Sequence, residues 1–322
     1  MESLTKNKQP KETIAKMVQK YFSPLAMTDY TELTEGFFNM AYEIRLSNGE
    51  KVILKIAPSK EMRIMTYEKN IMFSEVKAMK LAASLDGIPV PKVIGFDDSC
   101  TICSSPYFFM EKLSGKSLHT VRNLLTPEEI NCIYEETGTI NRKINEIRRP
   151  VFGYPGQPDF QGKEWYPVFR RMLEAGVDDA RKGNVDVKIP IDRMWFCLDR
   201  DRAVFNEVTE PRLVHWDCWD GNIFVREGRV TGIIDWERSL FGDPLMEVGF
   251  RTYSDNSCFQ KGYGLAALTE NQKLRALWYD IYLMLLVSLE YEYRKYDTMD
   301  IYYYAVKLLQ EQFAKIDCGE KI

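Results

Sequence analysis

The segment from residue 215 to residue 235 constrains this chain more than any other. It reads HWDCWDGN at 215–222, followed by two short β-like runs around a Glu-Gly turn, and the second run ends at Asp235. A tight loop followed by a hairpin can fold Asp235 back onto Asn222, close to Asp217. Carboxylate and amide oxygens are hard ligands that suit Mg²⁺, which completes its shell with phosphates. Taken alone, the same pattern also fits a polar turn between two strands.

The first part of the chain mixes strand and helix patterns. The run AYEIRLSNGEKVILKIA is strand-like on both sides of Asn48-Gly49, a dipeptide typical of β-hairpins. Residues 62–84 have apolar side chains at helical spacing, and two further strand-like runs, 87–97 and 105–113, each contain an early proline. From Ser117 onward the patterns are mostly helical. The sequence therefore predicts an α+β protein.

Composition excludes several classes of protein. The net charge of −4 argues against a nucleic-acid partner bound through bulk electrostatics. The cysteines number seven and are scattered, so they do not form a disulfide framework. The longest apolar run, IYLMLLVSL, lies between Asp280 and Glu290 and is too short for a membrane span. We expect a cytoplasmic protein with no membrane partner.

Charge is distributed unevenly along the chain. Residues 1–118 contain 16 Lys and Arg against 14 Asp and Glu, whereas the remainder contains 27 against 33. The acidic second part would favour a cationic or polyhydroxylated small molecule. Solvated helix faces explain the same excess equally well.

The longer stretch LVHWDCWDGNIFV…GRVTGIIDWERSLFGDP resembles the catalytic core of the aminoglycoside phosphotransferase-like (APH/choline-kinase-like) family of small-molecule kinases. Histidine, aspartate, asparagine, a second aspartate and Gly-Asp-Pro follow in the family's order and spacing. The resemblance implies a two-lobed protein-kinase-like fold. A small N-lobe with an antiparallel β-sheet, residues 1–112, would end at the hinge. A larger, mainly α-helical C-lobe, residues 113–322, would hold the catalytic loop and the acceptor site.

The resemblance also implies roles for individual residues of this core. Asp217 would be the catalytic base that accepts or orients the acceptor hydroxyl, and His215 would brace the loop by hydrogen bonds. Asn222 and Asp235 would be the Mg²⁺ ligands. The donor would be ATP or GTP, and the acceptor a small molecule with a hydroxyl group.

The N-terminal part of the chain provides an independent test of the kinase interpretation. Lys55 lies in the apolar run KVILKIA, where a lysine is unexpected unless it has a function or extends its ammonium group to water at an edge. A kinase-like site needs such a strand lysine for the nucleotide phosphates and a helical glutamate to position it. Glu68 and Glu75 are seven residues apart, on one face of the predicted helix. The resemblance selects Glu75.

Two further nucleotide contacts rest on the resemblance. The turn from Gly36 to Asn39 would cover the phosphates with backbone N–H groups. The run YFFMEKL resembles the hinge, where main-chain groups of Met110, Glu111 and Lys112 would bind the adenine edge.

The acceptor is less well defined. The family's common HGDLHPGN is HWDCWDGN here, and although its second tryptophan resembles fructosamine kinases, the DWE at 235–237 does not. Asp220 is an extra acid that would bind an acceptor ammonium or hydroxyl, or cap the loop. Glu237 is a candidate acceptor contact, a further metal ligand or a surface acid. Trp278, with Tyr282 and Glu290, would line an acceptor pocket or belong to the core.

The resulting hypothesis is a Mg²⁺-dependent small-molecule kinase with an aminoglycoside-, macrolide-, choline- or sugar-like acceptor. The alternative is a nucleotide-binding regulatory pseudokinase without turnover. A protein kinase is disfavoured because the chain lacks the D-F-G, A-P-E and H-R-D motifs.

Overall fold

A computed structural model describes residues 6–34, 36, 38–265 and 267–318 of the chain. Within these ranges the helices are α1 (Lys11–Phe22), α2 (Ile71–Ala82), α3 (Leu118–Val121), α4 (Pro127–Ile144), α5 (Trp165–Gly183), α6 (Ile191–Arg200), α7 (Ser257–Tyr263), α8 (Glu270–Arg294) and α9 (Asp300–Cys318). The strands are β1 (Met27–Leu33), β2 (Met40–Leu46), β3 (Lys51–Ile56), β4 (Val93–Asp97), β5 (Tyr107–Glu111), β6 (Lys116–Ser117), β7 (Arg212–Val214), β8 (Ile223–Arg226), β9 (Arg229–Ile233) and β10 (Leu240–Gly242).

The N-lobe is built on an antiparallel sheet with the strand order β1-β2-β3-β5-β4. The predicted hairpin joins β2 to β3, and Gly49 supplies the left-handed turn with φ of 88°. Strand side chains alternate between the two faces of a sheet. Leu54 and Ile56 of β3 join the cluster packed under α1, so Lys55 projects from the opposite face.

The edge strand β1 was not predicted from the sequence. Its residues are all exposed or half-buried, and it pairs only with β2, so it lacks the apolar pattern of a central strand. The predicted helix at 62–84 is also shorter than expected. Helix α2 begins at Ile71, after Asn70 in the left-handed conformation with φ of 52°. Glu68 therefore lies in a separate 3₁₀ turn and does not share a helical face with Glu75, which corrects the prediction.

The C-lobe is mainly helical and packs around α8. Most residues of α8 are buried, including Trp278 and Tyr282, and it contacts α5 and α9. Helix α4 begins at Pro127, after Thr126, whose hydroxyl forms a capping box with Glu129. The two-lobed α+β fold predicted from the sequence is confirmed.

Strands of two small sheets border or form part of the segment 215–235. Strands β7 and β10 pair on one side, and β6, β8 and β9 form a three-stranded sheet on the other. The loop 215–222 connects β7 to β8, and the β8–β9 hairpin leads back to Asp235. In the described parts of the chain, we find no helix with the length and apolarity that crossing a membrane requires.

Candidate functional site

The loop after β7 brings Asp217 and Asn222 into direct contact. The Asn222 side-chain amide donates to the Asp217 backbone oxygen at 2.8 Å and to its carboxylate oxygen Oδ2 at 3.1 Å. The Ile234 N–H donates to the Asn222 backbone oxygen at 3.0 Å, so the hairpin does return the segment before Asp235 to the loop. Asp217, Asn222 and Asp235, which the sequence predicts to lie close together, therefore lie on two adjoining turns.

His215 is buried beneath this loop. Its Nδ1 accepts the backbone N–H of Asp217 at 3.2 Å, and its Nε2 lies 3.0 Å from the Ile234 carbonyl oxygen. Because Nδ1 is an acceptor, the proton is on Nε2, which donates to the carbonyl. Burial lowers the pKa of His215 to about 4. The imidazole is therefore neutral and links the loop to the strand before Asp235.

Glu247 supports the same loop, and the sequence reasoning missed it. Its carboxylate accepts the backbone N–H groups of His215 at 2.9 Å and Trp216 at 3.0 Å, and the Asn145 amide at 3.0 Å. Glu247 is fully buried. The available signal was its position four residues after the aspartate of Gly-Asp-Pro, beyond the motif used for the resemblance.

Asp217 is half-buried in the loop. Burial raises the pKa of its carboxyl to about 6, and the nearby Arg238 guanidinium opposes that rise. A carboxylate with a raised pKa is a stronger proton acceptor than one in water.

Lys55 lies at the centre of a group of carboxylates. Its ammonium group is 2.7 Å from Glu75 of α2, 2.6 Å from Asp235 and 3.6 Å from Glu237. Burial alone would lower the pKa of Lys55, but Asp235, Glu75 and Glu237 raise it well above its usual value. The lysine is therefore charged and joins the sheet and α2 of the N-lobe to the C-lobe.

Glu75, Asp235 and Glu237 form a carboxylate cluster in which one oxygen of each lies within 4.8 Å of the others. Burial raises the pKa of Glu75 to about 7 and that of Glu237 to about 8, and the nearby Asp235 carboxylate adds to both rises. The second oxygen of Glu75, Oε2, is buried and accepts no hydrogen bond from the described residues. Hard oxygens with unused acceptor capacity suit a divalent cation.

The turn preceding β2 reaches this cluster. The Asn39 side-chain amide donates to Glu237 at 2.7 Å, and its own oxygen is buried with no partner among the described residues. Gly36 is exposed, and a Cβ there would have space, since its nearest neighbour would be an Asn39 oxygen at 3.9 Å. Phe37, inside the predicted phosphate-covering turn, lies outside the described residues.

The hinge residues lie at the end of β5. Met110 pairs with Ile53 of β3, and the Glu111 N–H donates to the Lys92 carbonyl at 3.0 Å. The Lys112 ammonium group pairs with Glu43 of β2. The main chain of Met110 and Glu111 and the side chain of Lys112 thus fix the strand end, and the Glu111 N–H is already used within the N-lobe.

Two of the residues considered for the acceptor have other partners. The Asp220 carboxylate accepts from Arg122 at 2.5 Å and from the Tyr134 hydroxyl at 2.8 Å, an arrangement that fits the loop-capping alternative. Trp278 is fully buried in the core of the C-lobe and donates to Asp201 at 3.1 Å, which fits the core alternative. The structure does not bring either side chain into contact with Asp217.

Tyr282 and Glu290 contact the site from α8. The Tyr282 ring stacks on Trp216 of the loop, with centroids 5.3 Å apart and planes at 10°. Glu290 accepts from Arg238 at 2.7 Å. Arg238, which directly follows the DWE segment, was not singled out from the sequence, because its position three residues beyond Asp235 carried no expected role.

A kinase-like fold with a buried lysine–carboxylate cluster beside an Asp-Asn loop defines a class of phosphotransferases. A model of the phosphotransferase enzyme family (APH) matches residues 29–272. The chain belongs to this family, as the resemblance predicted.

Curated relatives match parts of this chain. A subtelomeric hrmA-associated cluster protein of Aspergillus fumigatus is 30% identical over 126 residues, which are 39% of this chain and 24% of the relative. The chain thus aligns with about a quarter of the length of the curated relatives that it matches.

Among solved structures, a putative aminoglycoside phosphotransferase from Ralstonia eutropha superposes with a TM-score of 0.66 at 14% identity, covering 96% of this chain and 98% of that one. The aminoglycoside phosphotransferase APH(4)-Ia, solved as a ternary complex with AMP-PNP and hygromycin B, has a TM-score of 0.64 at 17% identity, covering 96% and 100%. At these identities the likeness establishes the fold.

Proposed function

We propose that this protein is a Mg²⁺-dependent kinase that transfers the γ-phosphate of ATP or GTP to a hydroxyl group of a small molecule. The observation that carries the proposal is the position of Lys55. It is paired at once with Glu75 of the N-lobe and Asp235 of the C-lobe, beside the Asp217–Asn222 loop. A buried lysine in such a cluster is costly for stability alone, whereas a phosphate-binding site requires it.

The nucleotide would lie between the lobe formed by residues 1–112 and the lobe formed by residues 113–322. Lys55 would contact its α- and β-phosphates, with Glu75 holding the ammonium group in place. The turn from Gly36 to Asn39 would cover the phosphates, and main-chain groups of Met110 to Lys112 would contact the adenine edge. The buried, unpartnered oxygen of Asn39 supports a polar ligand at this turn.

Asn222 and Asp235 would hold the Mg²⁺ ion, with Glu237 as a further oxygen ligand. The unused acceptor oxygen of Glu75 and the close carboxylates of Asp235 and Glu237 fit a divalent cation. When bound, the ion would supply positive charge to the β- and γ-phosphate oxygens.

Asp217 would act on the acceptor. The acceptor hydroxyl oxygen forms a bond to the γ-phosphorus while the bond from that phosphorus to the β–γ bridging oxygen breaks. The hydroxyl proton passes to the Asp217 carboxylate, and the nucleoside diphosphate leaves with the electron pair of the broken bond. The hydrogen bonds from Asn222, together with His215 below the loop, hold Asp217 in position for this transfer.

The test is nucleotide turnover with Mg²⁺, with ATP and GTP in parallel, over a panel of aminoglycosides, macrolides, choline, amino alcohols, sugars and hydroxy acids. We expect acceptor-dependent turnover that Asp217→Asn lowers by about 10²- to 10⁴-fold while nucleotide affinity persists. Nucleotide binding without turnover on any acceptor would instead support the regulatory pseudokinase. Full turnover in Asp217→Asn would refute the role of Asp217.

We place this activity in the cytoplasm. The seven cysteines are free, and Cys103, Cys197 and Cys218 are buried. Free thiols persist in a reducing compartment. A fusion to a fluorescent protein, imaged in the source cells, would test the location.

A further inference from the structure

Arg238 is a buried cation that uses only one of its three side-chain nitrogens in hydrogen bonds with the described residues. Its side chain is 9% exposed, and one terminal nitrogen donates to Glu290 at 2.7 Å. The guanidinium carbon lies 5.9 Å from the centroid of the Tyr67 ring. The other nitrogens of the group, Nε and Nη1, donate to no atom of the described residues.

The unused donors of Arg238 face accessible space. Nε and Nη1 lack a hydrogen-bond partner among the described residues, yet they are not fully enclosed by protein. Both atoms therefore contribute to the small exposed fraction of the side chain. Desolvating a guanidinium group while leaving most of its N–H groups unused is unfavourable unless a ligand completes its hydrogen bonds.

The group also lies next to the proposed transfer site. Its partner Glu290 is on α8, the helix whose Tyr282 ring stacks on Trp216, the residue before Asp217. Arg238 follows Asp235 by three residues in the same short 3₁₀ turn, so the main chain fixes its distance from the transfer site. A ligand group bound to its free edge would therefore lie close to the hydroxyl that Asp217 orients.

We propose that Arg238 determines acceptor specificity by binding a carboxylate of the acceptor, which makes the acceptor a small hydroxy acid. This inference rests on the proposed kinase function. In a guanidinium group Nη2 shares one edge with Nε and the other with Nη1, so the second N–H of Nη2 together with one unused donor would match a carboxylate in a bidentate arrangement. Glu290 occupies one terminal nitrogen and thereby orients the group.

Among anionic ligands, the surroundings of Arg238 disfavour a dianion. Glu290 and Asp217 act on the guanidinium group, so a doubly charged phosphate would meet more repulsion than a carboxylate. This proposal differs from the cationic or polyhydroxylated small molecule that the acidic second part of the chain would favour.

The experiment compares matched acceptors in the full-length protein with Mg²⁺ and nucleotide. Hydroxy acids of three to six carbons are assayed beside their primary amides, and sugar phosphates form a separate arm. We expect the wild-type protein to prefer an acid over its amide by on the order of 10²-fold in kcat/KM. Preference for sugar phosphates over every hydroxy acid, or equal use of acid and amide, would overturn the proposal.

Variants assign that preference to the guanidinium group. Arg238→Gln should reduce the acid-to-amide ratio to near unity, and Arg238→Lys, which keeps the charge but loses the fork, should retain only part of it. Arg275→Lys is the matched control, because Arg275 is a buried guanidinium already paired with Asp243 and Glu207. Its ratio should stay at the wild-type value. An unchanged ratio in both Arg238 variants would refute the role of Arg238.

Different results would reject the specificity role of Arg238 and the kinase function. Turnover of aminoglycosides, amino alcohols or neutral sugars without turnover of any hydroxy acid would reject the specificity role and leave the kinase function intact. Absence of metal-dependent phosphoryl transfer to every acceptor would reject the kinase function, and the inference with it.

Discussion

The ammonium group of Lys55 lies 2.6 Å from the carboxylate of Asp235, so one ion pair joins residues 180 positions apart. Lys55 projects from the N-lobe sheet, and Asp235 ends the hairpin of the C-lobe. The contact therefore joins the two lobes. In the proposed reaction, the nucleotide phosphates would become the new partner of Lys55.

The first prediction concerns this pair. Lys55→Met should abolish detectable nucleotide binding and lower the free energy of unfolding by about 3 kcal/mol, because it leaves Glu75, Asp235 and Glu237 without their shared cation. Isothermal titration and urea unfolding measure the two effects.

The double variant Lys55→Met/Glu75→Gln separates these effects. Removing one of the crowded acids should restore part of the lost stability without restoring nucleotide affinity. Wild-type affinity in either variant would contradict the phosphate-binding role of Lys55.

The second prediction concerns the support of the catalytic loop. Glu247→Gln should lower the free energy of unfolding by about 2 kcal/mol, because the new amide group would meet a backbone N–H of His215 or Trp216. Turnover should fall while nucleotide affinity stays close to the wild-type value. A variant with unchanged stability would show that the loop does not depend on this carboxylate.

The third prediction concerns Trp216, which has φ of 66° in the left-handed region. Trp216→Gly should relieve about 1 kcal/mol of backbone strain but lose about 3–5 kcal/mol through the cavity left beside Tyr282. The net effect is a destabilisation of about 2–4 kcal/mol, measured by urea unfolding. Trp216→Phe, which keeps a ring in the cavity, is the control and should be destabilised less. Greater stability in the glycine variant would mean that strain outweighs packing.

The fourth prediction concerns pH and the N-lobe. The Lys20 ammonium group is 2.7 Å from Asp97, which joins α1 to β4. Although burial acts to raise the pKa of Asp97, hydrogen bonds from Lys20 and Ser99 hold it well below its usual value. A carboxylate whose pKa is depressed by folding stabilises the protein above its unfolded pKa of about 4 and loses that contribution as the pH falls.

Asp97→Asn should therefore unfold more readily than the wild type at pH 7, and the difference should shrink below about pH 4. Unfolding in urea across this pH range is the measurement. A difference that stays constant with pH would contradict the ionic origin of the stabilisation.

Local sequence signals predicted much of the architecture. The Asn-Gly turn, the Thr126 cap and the apolar spacing of the helices act over a few residues, so their physical effects are readable from the chain. The edge strand β1 escaped prediction because its stability comes from pairing with β2 and not from its own apolar pattern. Helix α2 was predicted too long because Asn70 adopts a left-handed conformation that composition does not reveal.

At the site, the sequence by itself determined which residue types recur at the family's spacing, and hence the family and the candidates Lys55, Asp217, Asn222 and Asp235. The tertiary structure decided which groups share a buried space. It brought Lys55 against Glu75, enclosed Trp278 in the core, placed Glu247 against the loop and paired Arg238 with Glu290. Sequence spacing predicts which residues are neighbours along one loop. Contacts between distant elements depend on how the whole chain packs, because the burial of a group and the charges around it exist only in the folded interior.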